Sequence, residues 1–489
     1  MTAMKRQWPP IGWLWHDYNK AAAWYSGVPA ALRAVSHDGT DRFWTTAEDI
    51  KVHVPIAADI SAMSAAMIFA DSPVFTSEDE KTVERIEKIA EYTQLYNVLL
   101  EAAELASVFG GVFLKWTWDI ADGAPILTCV PADCGVPHWR GNKVVQIELY
   151  TIIREDENGH VWRLEETYRD DGHIISRLFC GSENEIGTEH ALTAIPETEN
   201  INPDANSGTE MMLAFYVPNL KPNRKRPHLR YGRSDYDGLY ALFDELDEAY
   251  SALQRETRMT KTTVIVPAEY LKKRDAIFGN ENPYCKEKQW VYANNTGAFT
   301  ALDIDSDRTS SPITIVNPEL RAESRLAVCN DLVRRILMEA GYAPQSAGID
   351  VDGTSESGTA LNMRERKSMR TSETKKTYWW HALKDIIAAG MMLDAKVFRS
   401  GIDPKAEVSI EIPSNTQPDI SQLAQIVEQL ERAGAASVEY KVALLHPDWS
   451  DEQRDEEVQR IRAAGSASAQ AELDGIMNDI TKDNPAGDE

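Results

Sequence analysis

The chain has 489 residues, which is long enough for about three domains. Its 43% hydrophobic and 26% charged residues are typical of a soluble globular protein. The 51 basic and 77 acidic residues give a formal net charge of −26. This charge argues against electrostatic wrapping of DNA, because neutralising phosphates requires exposed lysine and arginine, but it would let DNA pass without sticking.

The cysteines and the apolar segments exclude further classes of protein. The five cysteines are odd in number and have no CxxC spacing, which predicts free buried thiols in a reducing compartment; they are Cys129, Cys134, Cys180, Cys285 and Cys329. The first ten residues lack the apolar stretch of a signal peptide. No window reaches about 18 uninterrupted apolar residues, so no membrane span is predicted.

The N-terminal third begins with helical patterns. Residues 16–26 and 55–70 predict two helices, the first ended by Gly27. The sequence Ser77-Glu-Asp-Glu80 predicts a capping box that opens a single long helix, which Gly110-Gly111 ends.

A β-rich region follows. Asp-Gly and Asn-Gly turn pairs separate several of its apolar runs, which predicts an antiparallel meander. The predicted strands are Val112–Trp118, Pro125–Val130, Val144–Ile153, His160–Tyr168, His173–Phe179 and Met211–Val217.

Residues 221–233 hold six basic side chains and no acid. Such a run could bind nucleic acid, bind an acidic surface of a partner, or form a solvated turn.

A long helical pattern begins near Tyr231. Ser234 is a favourable N-cap, and apolar residues recur at helical spacing from Leu239 to Leu253. The pattern continues to about Lys261 and predicts roughly 30 residues of helix, a strut that packs against copies of itself. Its early acids could be a solvated face or an acidic lining: Asp235, Asp237, Asp244, Glu245, Asp247 and Glu248.

The second half continues with alternating helices and short strands. An insert at 263–317 carries predicted strands at 264–266, 290–292 and 313–316. Helices are predicted at 318–340 and 359–398, separated by a Gly/Ser loop and followed by a strand at 408–412. Three helices at 419–433, 437–445 and 450–464 complete the pattern.

No catalytic or metal-binding motif stands out. The chain has no GxxxxGK[ST], HExxH or GxSxG sequence, and its histidines are scattered. Asp350-Val-Asp352-Gly353 hints at a calcium loop but lacks a further acid before the glycine and a closing glutamate. We expect no enzyme activity, no metal and no cofactor.

Six motifs, in this order and spacing, indicate a family. They are Val54–Ile60 continuing through Met67–Pro73, Glu101–Val112 running into Lys115–Trp118, Gly232–Asp235, Thr354–Leu361, Ile410–Asp419 and Leu445–Glu452. Over residues 10–465 the chain resembles the portal proteins of tailed double-stranded-DNA bacteriophages, in the long-tailed phage portal family.

The resemblance implies an α+β portal fold. Its parts would be a helical and β-meander wing, a two-helix stem, a small α/β clip, a tunnel loop, a kinked long helix and a helical crown. The wing would be 1–230 with the returning strand 408–412, the stem 231–262 with 318–342, and the clip 263–317. The tunnel loop would be 343–358, the kinked long helix 359–398 and the crown 413–465. A mobile acidic tail would follow at 466–489.

The function implied is a ring channel at one capsid vertex, usually a dodecamer, through which DNA is packaged and ejected. Its partners would be double-stranded DNA without sequence specificity, the terminase large subunit, a head-completion adaptor, and the major capsid and scaffolding proteins. It would be assembled in the host cytoplasm and reside in the virion, without contact to a membrane. The alternatives are an oligomeric capsid-associated structural protein that does not conduct DNA, and a hydrolase with unrecognised residues.

We expect three groups of site residues, the first of which lies in the loop that the resemblance points into the channel. The tunnel loop would face DNA with Gln345, Ser346, Asp350, Asp352, Thr354, Ser355, Glu356 and Ser357. A basic belt would either meet phosphates or pair with acids of a neighbouring subunit through Arg364, Arg366, Lys367 and Arg370. The clip would present a partner or inter-subunit surface with Tyr270, Phe278, Tyr284 and Trp290.

Overall fold

The structure is a computed structural model that describes most of the chain. The described residues are 8, 12, 14–35, 52–119, 123–259, 263–267, 299–302, 314–316, 322–349, 358–413, 420–446, 449 and 453–463. The chain divides into two compact units, Met1–Pro413 and Ser414–Glu489.

The first unit begins with three helices, α1 (Trp15–Ser26), α2 (Pro29–Val35) and α3 (Ile56–Ile68). Helix α1 ends where predicted, because Gly27 adopts a left-handed conformation with φ of 63° and its N–H bonds to the carbonyl of Ala23.

The prediction of a single long helix after Ser77 is wrong. This region forms two helices, α4 (Glu80–Tyr92) and α5 (Leu95–Phe109). Gln94 separates them in a left-handed conformation with φ of 51°. The cap of α4 is Asp79, whose carboxylate accepts the backbone N–H of Lys81.

Ser77 has another role. Its hydroxyl donates to the carbonyl of Glu407, 2.8 Å away, which fixes it beside the returning strand described below. The predicted capping box is therefore absent.

The β-rich region forms two antiparallel sheets rather than one meander. The first sheet has three strands in the order β10–β2–β3, namely β2 (Gly111–Thr117), β3 (Ile126–Pro131) and β10 (Ala214–Pro218). Six residues of β2 are buried in succession, because helix α5 packs on this sheet.

The second sheet has six strands. Its main path is β4 (Gly135–Arg140), β5 (Lys143–Glu155), β6 (Val161–Arg169), β7 (His173–Gly181) and β8 (Thr188–His190), while β9 (Asp204–Asn206) pairs with β7. Strands β4, β8 and β9 were not expected from the sequence.

The strut predicted over 231–262 begins later than expected. Helix α6 spans Tyr240–Met259, and residues 235–239 form turns. Gly238 has a φ of 89°, which interrupts a helix, and the Ser234 hydroxyl accepts the N–H of Tyr236 in a turn instead of capping a helix. Asp235 and Tyr236 thereby point into the interior, where both are buried.

The described residues of the insert after α6 form three short strands, β11 (Thr263–Pro267), β12 (Phe299–Leu302) and β13 (Thr314–Val316). Strand β11 lies in the middle, parallel to β12 and antiparallel to β13. Strand β12 was not expected, and the strand predicted at 290–292 lies outside the described residues.

Two further helices complete the first unit. Helix α7 (Ala322–Ala340) packs against α6, and helix α8 (Gly358–Leu393) continues as a π-helical turn, Asp394–Phe398. Strand β14 (Ser409–Glu411) then pairs antiparallel with β1 (Val74–Thr76), so the strand predicted at 408–412 does return to the N-terminal region.

The interior joins sheet and helices around Trp116 of β2. Its indole N–H donates to the carbonyl of Ile386 in α8 at 2.8 Å. A second apolar cluster includes Trp24, Phe243 and Ile336, from α1, α6 and α7. The predicted α+β class is confirmed by this arrangement.

The second unit contains helices α9 (Ile420–Arg432) and α10 (Val438–Leu445) and helical residues 453–463. Ser437 caps α10 by accepting the N–H of Tyr440.

Candidate functional site

The base of the 343–358 segment is attached to one face of helix α8. The Ser368 hydroxyl accepts the N–H of Ala343 at 2.7 Å and bonds to the hydroxyl of Ser346 at 2.8 Å. One turn further, Thr371 donates to the carbonyl of Gly341 at 2.7 Å. Residues 341–346 therefore leave α7 along a path set by side chains of α8.

A buried ion pair continues the same face of α8. The ammonium of Lys375 lies 2.5 Å from the carboxylate of Asp235, and both side chains are almost completely buried. Lys375 also donates to the hydroxyls of Ser64 at 2.7 Å and Tyr342 at 3.0 Å. One side chain thus joins α3, the turn before α6, the end of α7 and α8.

Asp235 is surrounded by donors from other elements. Ser107 of α5 donates to it at 2.6 Å, and the side-chain amide of Asn219 donates at 2.8 Å. Its own backbone N–H donates to the carbonyl of Ser107 at 3.0 Å. The carboxylate is therefore compensated on both oxygens, as a buried charge requires.

Burial lowers the pKa of Lys375, and the neighbouring carboxylate of Asp235 opposes that effect. All three ammonium protons have an acceptor, which is the hydrogen-bonding pattern of the charged form. The pair joins helices α3 and α8 to the turn that precedes α6 and to the residues that follow α7.

A second buried acid anchors the segment before α3. Asp247 of α6 accepts the N–H of Val54 at 2.9 Å and contacts the ring of His53 at 2.8 Å. The proposal that the early acids of this strut form a solvated face is therefore wrong for Asp235 and Asp247, which lie inside the first unit.

The basic residues of early α8 separate into different environments. Arg366, Lys367 and Arg370 are all exposed, and Lys367 also donates to the carbonyl of Met338 at the end of α7. Lys375 and Lys376, which belong to the same charge pattern in the sequence, are buried. Arg364 lies in helix α8, and its side chain is outside the described residues.

The other predicted site residues are only partly described. Gln345 and Ser346 form part of a short 3-10 turn, Pro344–Ala347. The remaining tunnel-loop residues (Asp350, Asp352, Thr354, Ser355, Glu356 and Ser357) lie outside the described residues. So do the four clip aromatics, Tyr270, Phe278, Tyr284 and Trp290.

Sequence reasoning missed the ion pair, although a signal was present. One face of α8 carries buried side chains at intervals of four or three residues, namely Ser368, Ser372, Lys375, Trp379 and Leu383. A lysine on a stripe that otherwise enters the core indicates a buried partner.

Within the described ranges, no group of three or more His, Cys, Asp or Glu side chains could hold a metal ion. None of the helices in that part of the chain is long and apolar enough to cross a membrane.

Comparison with known families identifies the class. The family described as "Phage portal protein, SPP1 Gp6-like" matches residues 17–471. The chain belongs to this family, which confirms the resemblance inferred from its motifs. No curated protein matches the chain.

Solved structures to which the chain is similar come from gene transfer agent (GTA) particles. The chain is 12% identical to one from the neck of an empty GTA particle computed with C6 symmetry, with a TM-score of 0.42, covering 80% of this chain and 90% of that one. A chain from the neck of a native GTA particle computed with C12 symmetry is also 12% identical, with a TM-score of 0.41 and coverage of 91% and 96%.

Proposed function

We propose that this protein is the portal of a tailed-phage particle, a ring that conducts double-stranded DNA during packaging and ejection. The observation that carries the proposal is the family match over residues 17–471. The order of elements agrees with it: α6, the three-stranded insert, α7, the 343–358 loop and α8 follow in the sequence expected of stem, clip, stem, tunnel loop and long helix.

Ring formation is supported by the surface of α7. Leu326, Val328 and Met338 are 43%, 54% and 50% exposed in the single chain. Burying such side chains stabilises association, and obligate interfaces typically bury about 2,000–5,000 Å². We propose that neighbouring copies cover this helix in a ring of twelve subunits.

The loop 343–358 is proposed to face the DNA. Its sequence contains Asp350, Asp352 and Glu356 and no lysine or arginine. Repeated around a ring, these acids would create a negative potential that keeps the phosphate backbone centred and unbound. The belt of Arg364, Arg366, Lys367 and Arg370 would lie beside it, facing phosphates or the acids of a neighbour.

The insert at 263–317 is proposed to dock partners. Tyr270, Phe278, Tyr284 and Trp290 are candidates because aromatic residues dominate interface energetics. The partners would be the terminase large subunit during packaging and a head-completion adaptor afterwards. Assembly in the host cytoplasm with scaffolding and major capsid proteins would place the ring at one capsid vertex.

The first test is the assembly state of the whole purified protein, by native mass spectrometry and electron microscopy. Ring-shaped particles of about twelve subunits would support the proposal. A monodisperse monomer at micromolar concentration in physiological salt would contradict it.

The second test is charge reversal in the loop. Asp350→Lys with Asp352→Lys should slow packaging into proheads, because each new cation adds a salt-dependent phosphate contact. The matched control is Glu183→Lys with Glu189→Lys, an equal charge change at exposed positions around β7 and β8. Equal packaging rates for both variants, with rings intact, would show that the loop does not meet DNA and would favour a structural protein that conducts none.

A further inference from the structure

The basic run at 221–233 folds into a closed loop. An antiparallel bridge between Leu220 and Arg233 closes its base. Inside it, the side chain of Asn223 accepts the N–H groups of Lys225 and Arg226, both at 3.1 Å, and donates to the carbonyl of Gly232 at 3.0 Å. The backbone of the loop is therefore held by its own polar contacts and does not depend on its charged side chains.

Two of the six cations in this loop are paired with carboxylates of the same chain. Lys225 lies 3.1 Å from Asp17 and 3.0 Å from Asp237, and Arg226 lies 3.8 Å from Asp17. These contacts fasten the loop to α1 and to the turn before α6.

The other four cations are Lys221, Arg224, Arg230 and Arg233. Among the described residues none of the four forms an ion pair, and Arg230 instead donates to the neutral side chain of Asn142. Lys221, Arg224 and Arg230 are exposed and Arg233 is partly exposed.

Like charges act on one another within this group. Two effects lower the pKa of Lys221: its partial desolvation, which is the larger, and the positive charge of the neighbouring Arg230. Desolvation, as the larger effect, and the charge of Arg224 lower the pKa of Arg233, while the carboxylates of Asp235 and Asp237 oppose that shift. The loop thus holds positive charges that act on one another, in a chain whose formal net charge is −26.

We propose that the exposed cations of the 221–233 loop bind the phosphate backbone of double-stranded DNA. Four cations that form no ion pair among the described residues fit best a ligand of dense negative charge, and duplex DNA carries about one charge per 1.7 Å of its axis. Three of the four are arginines, whose planar guanidinium groups bind phosphate oxygens in pairs. This contact is separate from the acidic 343–358 loop and does not depend on whether that loop meets DNA.

The acidic surface of a second copy is the competing occupant. Carboxylates on a protein surface repel one another and are rarely as closely spaced as phosphates. The carboxylates of this chain that lie against the loop, Asp17 and Asp237, are already paired with Lys225 and Arg226.

The test compares two double variants of the full-length protein that lose the same charge from the same loop. Arg224→Gln with Arg230→Gln removes two cations without a carboxylate partner, whereas Lys225→Gln with Arg226→Gln removes the two paired ones. Binding to a fluorescent 30-base-pair duplex of arbitrary sequence is measured by anisotropy between 50 and 200 mM salt. Melting temperature and ring images confirm that each variant folds and assembles.

Each neutralised phosphate contributes about −0.9 to the slope of log affinity against log salt. Removing two contacts should therefore reduce the magnitude of the slope by about 1.8 and weaken binding at 50 mM salt by about tenfold or more. The Lys225→Gln/Arg226→Gln variant should retain the wild-type slope.

Three results would overturn the proposal. They are no duplex binding by the wild type at 50 mM salt, equal losses in both variants, or unchanged DNA affinity in the Arg224→Gln/Arg230→Gln variant. A changed subunit number in that variant, with unchanged DNA affinity, would assign the loop to a second copy. Intact rings and normal packaging alongside any of these results would leave the portal proposal standing.

Discussion

Lys375 and Asp235 lie 140 residues apart in the sequence and form a 2.5 Å ion pair in the interior of the first unit. Lys375 belongs to the helix that follows the 343–358 loop, and Asp235 to the turn that precedes α6. Their contact therefore ties the beginning of the proposed stem to the long helix that follows the 343–358 loop. A buried pair of this kind fixes geometry more than it adds stability, because desolvation offsets the attraction.

Replacing Lys375 with methionine should lower the free energy of unfolding by about 3–5 kcal/mol, because the Asp235 carboxylate would stay buried without its counter-charge. Guanidinium denaturation of the full-length variant measures the loss. The double variant Lys375→Met with Asp235→Asn should be no less stable than Lys375→Met alone, since it removes the stranded charge.

Lys384→Met is the control, because it removes an exposed lysine from the same helix. It should stay within about 0.5 kcal/mol of the wild type. If Lys375→Met behaved like Lys384→Met, the ion pair would not hold the junction.

Two hairpin glycines should respond differently to alanine. Gly159 and Gly172 both have a positive φ, 75° and 81°, so alanine strains the backbone at either position. A Cβ at Gly159 would meet nothing within 4 Å, whereas at Gly172 it would lie 1.9 Å from the carbonyl oxygen of Thr209.

Gly159→Ala should therefore cost about 1 kcal/mol of stability, and Gly172→Ala about 1–3 kcal/mol more because a fixed backbone must move. Denaturation curves of the two variants measure the difference. Equal losses would mean that residues 207–209 do not pack on the turn as described.

These two turns show what local sequence can predict. Asn158-Gly159 and Asp171-Gly172 mark both hairpins correctly, since the need for a positive φ is local. The packing of Thr209 on only one of them depends on a segment about 37 residues away, which no local pattern encodes.

Tertiary contacts explain the incorrect helix limits in the same way. Ser234 is a good N-cap in isolation, but its hydroxyl donates to the carbonyl of Ser107, and the turn carries Asp235 towards Lys375. The family and the fold class follow from motif order. The candidate site does not follow from the sequence, because the basic pattern of α8 mixes the exposed Arg366 and Arg370 with the buried Lys375.

Two thiols should resist alkylation in the native protein. Burial raises the pKa of Cys129 and of Cys134 well above the usual range of a thiol. Since the reactive form is the thiolate, both should be almost unreactive towards iodoacetamide at pH 8. Peptide mass spectrometry should find them unmodified in native protein and fully modified in guanidinium. Rapid modification of Cys129 in native protein would contradict its placement under α5.

The attachment of the 343–358 loop can be tested at Ser368. Its buried hydroxyl accepts the N–H of Ala343, so alanine at position 368 leaves that donor without its partner. A buried unsatisfied group costs about 1–3 kcal/mol, which corresponds to roughly 5- to 150-fold faster local opening. Hydrogen exchange of peptides covering 341–349 should accelerate by that factor in Ser368→Ala.

Thr374→Ala is the matched control, because its hydroxyl is exposed and, among the described residues, bonds only to the carbonyl of Arg370 in the same helix. It should leave exchange in 341–349 unchanged. If the proposed channel function is correct, Ser368→Ala rings should also package DNA more slowly than Thr374→Ala rings, because the base of the loop is no longer held to α8. Faster exchange with normal packaging would separate the two conclusions: the anchor would be real, and the position of the loop would not control DNA movement.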